Sequence, residues 1–486
     1  MSTPLLTFGY NTLILQTYFY IFSLFYNKLQ KLTILKWLNM LHEKLNYSAF
    51  MLSQQAQSLS AAALLWAGDR KQAILTFNPI KQVVCFTVQD LQAFVANQAS
   101  LPADTEPKPT KPISDQKGWH SFRSGWLGYF SYEAGHTLLT GDNRSADMPL
   151  AEFFEYSFSV VLDFNTDETV LFYRAEVDVA EVLRTLNTLV TDPISLPKTA
   201  NRASNKKGAE PLQPWSTAWN AVWNAQQYQQ AFNQVQSYLN AGDCYQVNLA
   251  MPFVNGADLR TNSPLPLLRS FNPAFGGYLK TDYLSLYSVS PERFICIDGE
   301  RIETRPIKGT VARGANAAED ETNKTWLANS AKNQAENLMI VDLLRNDLSR
   351  YALPFSVKVE KLFTIETHAN VHHMVSTISA LKRPEVSPAE VILNALPGGS
   401  ITGAPKKRAM EVIAELEAGA RGPYCGVMGF FDDSGYVDFN ILIRTVVAKE
   451  NGAQCWAGGG VVLDSTCEEE WQELHVKVAR ILEQFG

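Results

Sequence analysis

The strongest local constraint on the fold of this chain is a hairpin pattern in its central part. Residues 294–297 and 301–304 have strand-like composition, and Asp298-Gly299 stands between them. An Asp-Gly pair between two strand-like runs is typical of a two-residue type I′ turn. The sequence therefore predicts an antiparallel hairpin in which Ile297 pairs with Glu300.

The same register places Glu292 opposite Arg305, so Glu292 and Lys308 are expected near one end of the ribbon. A carboxylic acid and an amine held together on a rigid ribbon can act as a proton donor and a nucleophile. A charged pair beside a hairpin can equally be a solvated ion pair that contributes little to stability. Both interpretations fit this segment taken alone.

The composition is that of a globular protein and argues against several other classes. With 486 residues, 46% of them hydrophobic and 19% charged, the chain is long enough for one large or two medium domains. A net charge of −7 argues against a general nucleic-acid binder, which needs a basic face. The six cysteines include no CxxC pair, which favours a reducing compartment over a disulfide framework or a zinc site.

The N-terminal segment is apolar but is not typical of a targeting sequence. Its first 27 residues contain no charged side chain, and polar residues such as Asn11 and Gln16 interrupt the apolar runs. It lacks the positively charged start and the clear cleavage site of a signal peptide. We interpret residues 1–50 as an N-terminal extension or a buried element, and we expect a cytoplasmic protein without a membrane partner.

Two stretches, 101–118 and 196–214, have the composition of linkers or long loops because they are rich in proline and polar residues. Between them, residues 126–132 and 153–172 have strand-like composition, the second with a turn at Asn165-Thr166-Asp167. The first half of the chain is therefore predicted to be mainly β-structure.

Helical periodicity is more prominent in the second half. Residues 226–239 have an apolar face, and Gly242 ends that pattern. Residues 331–348 are apolar almost all round, which predicts a buried helix even though charged residues interrupt it. Further helices are predicted at 405–416 and 468–485.

Ionisable residues on two of these helices suggest a metal site. Glu470, Glu473 and Lys477 are spaced i, i+3 and i+7, so they share one face of the last helix. Glu336 comes from another helix. Carboxylates that converge from separate helices suit Mg²⁺, which prefers oxygen ligands and keeps waters that a substrate can replace. A solvated acidic face capped by Lys477 is the alternative that the spacing leaves open.

Two glycine-rich segments can bring backbone N–H groups close to an anion. Gly458-Gly459-Gly460 lies between two strand-like runs, where a simple turn is the alternative. Residues 398–405 precede a predicted helix, whose N-terminal N–H groups and dipole favour an anion. Neither segment has the spacing of a Walker loop.

Three basic or titratable residues interrupt apolar runs that are predicted to be strands. Arg444 is one, and its planar guanidinium suits a carboxylate partner. His372 and His373 are the others. A histidine on an apolar strand is more often a satisfied core residue than a catalyst.

Taken together, these segments resemble the chorismate-utilising enzyme family. The resemblance covers roughly residues 223–486, with weaker similarity from Trp126 onward. The matching motifs follow the family's order and are Gly242 to Asn248, Ser290 to Phe294, Pro306 to Thr310, Ala335 to Leu348, Gly398 to Lys406, Ile443 to Thr445 and Ala457 to Val462.

The resemblance implies a two-lobed α+β fold, in which two large antiparallel sheets pack as a sandwich with helices outside. It also implies how the chain is divided. Residues 1–50 are expected to be an extension and 51–200 an N-terminal region of the family's type. Residues 201–222 are expected to link that region to a chorismate-binding catalytic domain at 223–486.

The resemblance further implies roles for individual residues. Glu292 matches the family's general acid/base, and Lys308 matches its nucleophile. Glu336 and Glu473 match its Mg²⁺-binding glutamates, with Glu470 adjacent. The residues that match substrate-contacting positions or lie in the matching segments are Gly309, Thr310, His373, Ser400, Tyr424, Arg444, Gly458, Gly459 and Gly460.

Lys308 distinguishes between branches of the family. Its segment, Pro-Ile-Lys-Gly-Thr, is typical of the branch that aminates chorismate at C4, whereas anthranilate synthases typically have Pro-Ile-Ala-Gly-Thr. The resemblance therefore implies conversion of chorismate and ammonia to 4-amino-4-deoxychorismate, on the route to p-aminobenzoate and folate. The alternatives are an anthranilate or isochorismate synthase and, from another class, a non-catalytic chorismate-binding regulatory subunit.

The implied mechanism pairs an acid with a nucleophile. Glu292 protonates the C4 hydroxyl while neutral Lys308 attacks C2, and ammonia then attacks C4 and expels the lysine. Because a free lysine has a pKa of about 10.4, desolvation or a nearby cation must neutralise it. No cysteine lies in a glutaminase-type nucleophile motif, so we expect a heterodimer in which a separate glutamine amidotransferase subunit supplies ammonia.

Two segments depart from the family's pattern. Lys332-Asn333-Gln334 stands where relatives often have Lys-Asp-Arg, which removes an acid and a base near the metal-binding helix. Some relatives bind tryptophan through an N-terminal serine and an Asn-Pro-x-Pro-Phe segment. Here residues 272–276 lack the second proline, and Ser53 is the candidate serine, so the resemblance does not extend to tryptophan binding.

Overall fold

The computed structural model describes residues 40–45, 47–99, 118–142, 144, 148–191, 218–368, 371–417 and 419–486. The predicted extension up to residue 39, the loop at 196–214 and nearly all of the loop at 101–118 lie outside the described residues. Most of the predicted linker at 201–222 lies outside them as well.

The described strands, in chain order, are β1 (Met40–Leu45), β2 (Ala63–Ala67), β3 (Gln72–Thr76), β4 (Lys81–Cys85), β5 (Gly125–Phe130), β6 (Ala151–Tyr156), β7 (Phe158–Asp163), β8 (Glu168–Arg174), β9 (Asn220–Ala221), β10 (Gln246–Asn255), β11 (Gly276–Lys280), β12 (Ser285–Ser288), β13 (Arg293–Asp298), β14 (Arg301–Thr304), β15 (Ile307–Ala312), β16 (Lys358–Thr367), β17 (Val371–Leu381), β18 (Gly403–Ala404), β19 (Val427–Asp432), β20 (Val437–Ile441), β21 (Thr445–Lys449) and β22 (Gly452–Val461). The described α-helices are α1 (Ala49–Gln54), α2 (Val88–Ala99), α3 (Tyr132–Thr140), α4 (Val179–Thr191), α5 (Ala225–Ala241), α6 (Leu265–Phe271), α7 (Ala317–Ala328), α8 (Ala331–Ser349), α9 (Pro388–Ala395), α10 (Lys406–Leu416) and α11 (Cys467–Leu482).

These strands form two large antiparallel sheets. The first has the order β1-β8-β7-β3-β2-β11-β12-β21-β22-β10-β18, with β9 paired to β10. The second has the order β15-β17-β14-β13-β20-β19-β5-β6-β4, with β16 paired to β17. Each sheet combines strands from before residue 200 and after residue 217, so the two parts of the chain are joined by backbone hydrogen bonds.

The two sheets pack face to face, and helices cover their outer faces. Side chains between the sheets form one core cluster, to which Leu65 and Leu286 come from the first sheet and Tyr129 from the second. Alternate residues of β5 point to opposite faces, so Tyr129 lies in this cluster while Phe130 packs on the helical side. The predicted α+β sandwich with helices outside is confirmed.

The hairpin β13–β14 forms, but the predicted register is wrong. Asp298 pairs with Arg301, so the two loop residues are Gly299 and Glu300. Gly299 has φ = +61°, and Glu300 is not in the positive-φ region, so the turn is not type I′. Gly299 occupies the first loop position, where positive φ favours glycine. The turn therefore lies one residue further along the chain than predicted, and the expected pairing of Glu292 with Arg305 does not form.

The predicted helices are present, but the burial expected for one of them is not. Helix α8 packs on β15 and β17 with one side only. On its other side the Leu338 side chain is 53% exposed, and Asp342 and Arg345 form an exposed ion pair at 3.0 Å. The apolar residues of α8 are therefore buried along one side of the helix and not all round it. Across the described ranges, every helix is either too short or too polar to serve as a membrane span.

Candidate functional site

The carboxyl group of Glu292 is buried in the turn that leads from β12 into β13. It accepts hydrogen bonds from the Ser400 hydroxyl and from the backbone N–H of Ile307. Burial raises the pKa of Glu292 to about 7, although these hydrogen bonds and the cations Lys308 and Arg444 act in the opposite direction. A carboxyl group with this pKa is partly protonated near neutral pH and can donate a proton.

Lys308 is the second residue of β15 and is half-buried. Burial lowers the pKa of its amine, and the cation of Lys477 acts in the same direction. The carboxylates of Glu292, Glu336 and Glu473 oppose this shift. Because the net pKa is below the ordinary value for lysine, the neutral amine is more accessible than on a surface lysine, as a nucleophile requires.

Helix α11 supplies an acidic group beside this pair. Lys477 forms an ion pair with Glu473 at 2.7 Å and donates a hydrogen bond to the carbonyl oxygen of Gly458 at 2.9 Å. Glu470 accepts a hydrogen bond from the Ser465 hydroxyl at 2.8 Å and interacts electrostatically with Glu473 and Lys477. The three residues therefore share one face, as their spacing predicts.

The fit of these residues to a metal ion depends on the chemistry of their oxygen atoms. Among the described residues there is no group of three or more His, Cys, Asp or Glu side chains already placed to hold a metal ion. Glu336 and Glu473 nevertheless both act on Lys308, so carboxylates of two helices converge on one point. Such a donor set fits Mg²⁺, which commonly takes one or two carboxylates and completes its octahedron with waters and substrate oxygens.

The glycine run is not a turn. Gly458, Gly459 and Gly460 lie within β22 and pair with β10, with Gly459 opposite Leu249. A Cβ atom on Gly459 would come within 2.4 Å of the Glu470 carboxylate oxygen Oε2. The missing side chains therefore allow helix α11 to bring its carboxylate against bare backbone.

Thr310 and His373 face each other across β15 and β17. The Thr310 hydroxyl lies 2.8 Å from His373 Nδ1. Burial lowers the pKa of His373 to about 3, and electrostatic interactions with His368 and Arg444 act in the same direction. His373 is therefore neutral at physiological pH and can exchange hydrogen bonds without carrying a charge.

Arg444 lies outside the regular strands, which corrects the predicted strand over 441–445. It occupies the connection between β20 and β21 with φ = +52°, in the left-handed region. Burial lowers the pKa of its guanidinium, and the charge of Glu292 opposes that shift. A left-handed conformation in a residue with a Cβ is strained, and such strain is common at functional sites.

Tyr424 is buried against Trp456 and Arg421. Its ring stacks on Trp456 with centroids 5.7 Å apart and an interplanar angle of 13°. The guanidinium of Arg421 lies 5.6 Å from the Tyr424 ring. Tyr424 thus contacts the buried charge of Arg421.

The structure thus brings most of the predicted site residues into one interacting set. Glu292, Glu336 and Glu473 each interact electrostatically with Lys308, and Ser400 joins them through Glu292. Lys477 lies on the face that its spacing from Glu470 and Glu473 predicts, and the structure adds its hydrogen bond to Gly458. Arg421 was not predicted, because its i, i+4 spacing from Glu417 is that of an ordinary surface pair.

The chain is similar to known proteins of one family. A model of the family described as chorismate binding enzyme matches residues 61–483. Aminodeoxychorismate synthase component 1 of Escherichia coli is 48% identical over 260 residues, which cover 53% of this chain and 57% of that protein. The protein of the same name from Salmonella typhimurium is 38% identical over 387 residues, which cover 79% of each chain.

Solved structures share the fold. Anthranilate synthase component I from Streptococcus pneumoniae superposes with a TM-score of 0.66 at 23% identity, covering 85% of this chain and 92% of that one. The menaquinone-specific isochorismate synthase of Escherichia coli gives a TM-score of 0.66 at 16% identity, covering 92% and 94%. Because the family model spans most of its length, this chain belongs to the chorismate binding enzyme family.

Proposed function

We propose that this chain converts chorismate and ammonia to 4-amino-4-deoxychorismate. The observation that carries the proposal is the pairing of Glu292 with Lys308, since burial raises the pKa of the acid and lowers the pKa of the amine. The proposal is supported by relatives named aminodeoxychorismate synthase component 1 that are 38% to 48% identical. The Lys308 segment favours this reaction over anthranilate formation.

In the first step, the protonated carboxyl group of Glu292 donates its proton to the C4 hydroxyl of chorismate. The neutral amine of Lys308 attacks C2, the conjugated pair of ring double bonds shifts away from C2, and the C4–O bond breaks to release water. Lys308 is then covalently bound to C2.

In the second step, ammonia attacks C4 and the double bond shifts back. The C2–N bond breaks, and Lys308 leaves as an amine. The Glu292 carboxylate accepts the proton that the new C4 ammonium group releases, which restores the starting state. The acid and the nucleophile therefore both return unchanged in each turnover.

Binding of the substrate's carboxylates requires positive charge. Arg444 is buried, and its charge lowers the pKa of Glu292, as the charge of Lys308 does. Glu336 and Glu473, with Glu470 beside them, would hold Mg²⁺. When bound, the metal would neutralise the ring carboxylate and polarise the C4 hydroxyl. The Thr310 hydroxyl, which is hydrogen-bonded to neutral His373, offers the substrate an uncharged hydrogen-bonding group.

Ammonia is proposed to come from a separate glutamine amidotransferase subunit in the cytoplasm. The relatives' name, component 1, supports a second component. Free ammonium salts should then replace glutamine and the partner in a reaction with this chain alone.

The test is product identification by mass spectrometry after incubation with chorismate, Mg²⁺ and ammonium at mildly alkaline pH. We expect 4-amino-4-deoxychorismate from the wild type and from Lys324→Ala, a control lysine on α7 that is part of an exposed ion pair. Anthranilate or isochorismate as the product would contradict the proposed reaction, and no turnover would favour the regulatory-subunit alternative.

A further inference from the structure

Arg421 is a buried cation that lies outside the set of residues described above for the reaction. Its side chain is 1% exposed and forms a bidentate ion pair with Glu417, with Nε to Oε2 at 2.8 Å and Nη2 to Oε1 at 2.6 Å. It also donates to two backbone carbonyl oxygens, from Nη1 to Ile401 at 3.0 Å and from Nη2 to Asn248 at 2.8 Å, and Nη2 lies 3.5 Å from the side-chain oxygen of Asn248. Besides Glu417, the side chain thus contacts three parts of its surroundings, which are the turn at Ile401, strand β10 and a pair of aromatic rings.

The first of these parts carries Ser400. Ile401 follows Ser400 in the short 3₁₀ turn Gly399–Ile401, and the Ser400 hydroxyl donates to the carboxyl group of Glu292. The hydrogen bond from Arg421 to the Ile401 carbonyl therefore holds the turn that orients the proposed acid.

The second part is strand β10, which pairs with the glycine run of β22. Asn248, whose carbonyl Arg421 binds, lies opposite Gly460. Glu417 accepts a hydrogen bond at 2.9 Å from the backbone N–H of Ala250, which lies opposite Gly458. The ion pair therefore holds the strand against which the glycines lie.

The third part is aromatic. The guanidinium lies 4.8 Å from the ring of Tyr132 and 5.6 Å from that of Tyr424. The backbone N–H of Arg421 donates to Glu133 at 2.8 Å, which anchors the residue from helix α3. The two rings provide cation–π contacts to the guanidinium.

A buried ion pair of this kind is poor evidence for a role in stability alone. Desolvation of two charges offsets much of their attraction, and apolar residues of similar size often stabilise a core equally well. What an apolar pair cannot do is donate directed hydrogen bonds to two backbone carbonyl oxygens. The contribution of Arg421 is therefore to fix the positions of these two backbone segments.

We infer that Arg421 is a positioning residue, which with Glu417 holds the Ser400 turn, the β10–β22 ladder and Tyr424 in one arrangement around the acid Glu292. The inference rests on the proposed function only in taking Glu292 as the acid. Arg421 touches neither the acid nor the nucleophile and acts through Ser400.

The test is a double-mutant cycle between Arg421→Lys and Ser400→Ala, read out as kcat and KM for chorismate with saturating ammonium. Lysine keeps the charge but lacks the fork, so we expect kcat to fall by about 10- to 100-fold while KM changes less than about threefold. Because Arg421 acts through Ser400, the double variant should lose no more than about the larger single loss.

A matched control is Arg174→Gln, which removes another bidentate pair between an arginine and a carboxylate. Arg174 donates from Nε and Nη2 to Asp433 at 2.8 and 3.0 Å, and it lies far from the acid in sequence. It should lower the melting temperature and leave kcat unchanged. Arg421→Gln is a second variant, expected to lose more activity than Arg421→Lys at equal folded fraction by circular dichroism.

A wild-type kcat in Arg421→Lys would overturn the inference, as would multiplicative losses in the double variant or losses that follow the unfolded fraction alone. Failure of the proposed function is distinguishable from these outcomes. It would alter the product that the wild type forms, whereas the cycle is read on whichever chorismate product appears.

Discussion

Glu292 accepts a hydrogen bond from the backbone N–H of Ile307, the residue that immediately precedes Lys308. The proposed acid is therefore bonded to the strand that carries the proposed nucleophile. Burial disfavours both charges, so the pKa of Glu292 rises and the pKa of Lys308 falls. A neutral acid beside a neutral amine is the state that the first step of the reaction needs.

The first prediction concerns pH. Burial raises the pKa of Glu292 to about 7, so the fraction of protonated acid falls as pH rises through that value. The first step also needs the Lys308 amine neutral, and the fraction of neutral amine rises with pH, so the pair of protonated acid and neutral amine is lost only above the pKa of both groups. We expect kcat/KM for chorismate, which reports the free enzyme, to decline in that alkaline range. Glu292→Gln should lose at least about 100-fold in kcat and should lack this limb. A wild-type pH profile that matches the profile of Glu292→Gln would argue against Glu292 as the acid.

The second prediction concerns the glycine run. In Gly459→Ala the new Cβ atom would lie 2.4 Å from Glu470 Oε2, so the carboxylate and helix α11 must move. We expect kcat to fall about 10- to 100-fold with a smaller change in melting temperature, since small displacements of a positioned group are costly to rate. Gly256→Ala is the control, because no atom lies within 4 Å of its Cβ position. Equal activity of the two variants would contradict the assignment.

The third prediction concerns the metal. Chelation with EDTA should abolish turnover, and added Mg²⁺ should restore it. Glu336→Gln should raise the Mg²⁺ concentration for half-maximal turnover by about 10- to 100-fold, in the range seen when interactions around a metal are removed. Asp342→Asn, an exposed position on the same helix, is the control and should behave as the wild type. Direct calorimetric titration with Mg²⁺ gives a readout that does not depend on turnover.

The fourth prediction concerns Trp119, which is buried between the sheets. Its indole N–H donates to the Gly276 carbonyl oxygen at 2.7 Å, and its ring packs against Phe275 with centroids 6.0 Å apart. Trp119 therefore packs against residues 272–276, the segment that lacks the second proline of the tryptophan-binding pattern. We expect no effect of free L-tryptophan on turnover or melting temperature.

The matching substitution is Trp119→Ala, which should lower the free energy of unfolding by about 3–5 kcal/mol. Indole should raise the melting temperature of this variant and not that of the wild type, because the substitution leaves an apolar cavity. Stabilisation of the wild type by L-tryptophan would contradict this expectation, because it would show that the protein binds free tryptophan.

Much of the site was predictable because its residues lie in short motifs. The proximity of Glu292 to Lys308 and the shared face of Glu470 and Glu473 were predicted from short segments, whereas the catalytic and metal-binding roles are implied by the family resemblance. Local sequence also set the hairpin, but the exact turn depends on which loop residue takes positive φ. Gly299 takes the positive φ as the first loop residue, so the turn lies one position later than the Asp-Gly pattern predicts.

The unpredicted features depend on contacts between distant segments. Helix α8 is buried on one side only because a single sheet covers it, and its own apolar residues do not reveal this. Glu417 and Arg421 have the i, i+4 spacing of an exposed surface pair. Their burial follows from the packing of β10 and the Ser400 turn around them, which no local pattern records.

The measurement that tests the central claim most directly is the mass of the intact protein after rapid mixing with chorismate and Mg²⁺ in the absence of ammonia. The account predicts a species heavier by chorismate less one water, located by peptide mapping on Lys308 and absent from Lys308→Ala. Formation of 4-amino-4-deoxychorismate by Lys308→Ala at the wild-type rate, without any adduct in the wild type, would contradict it.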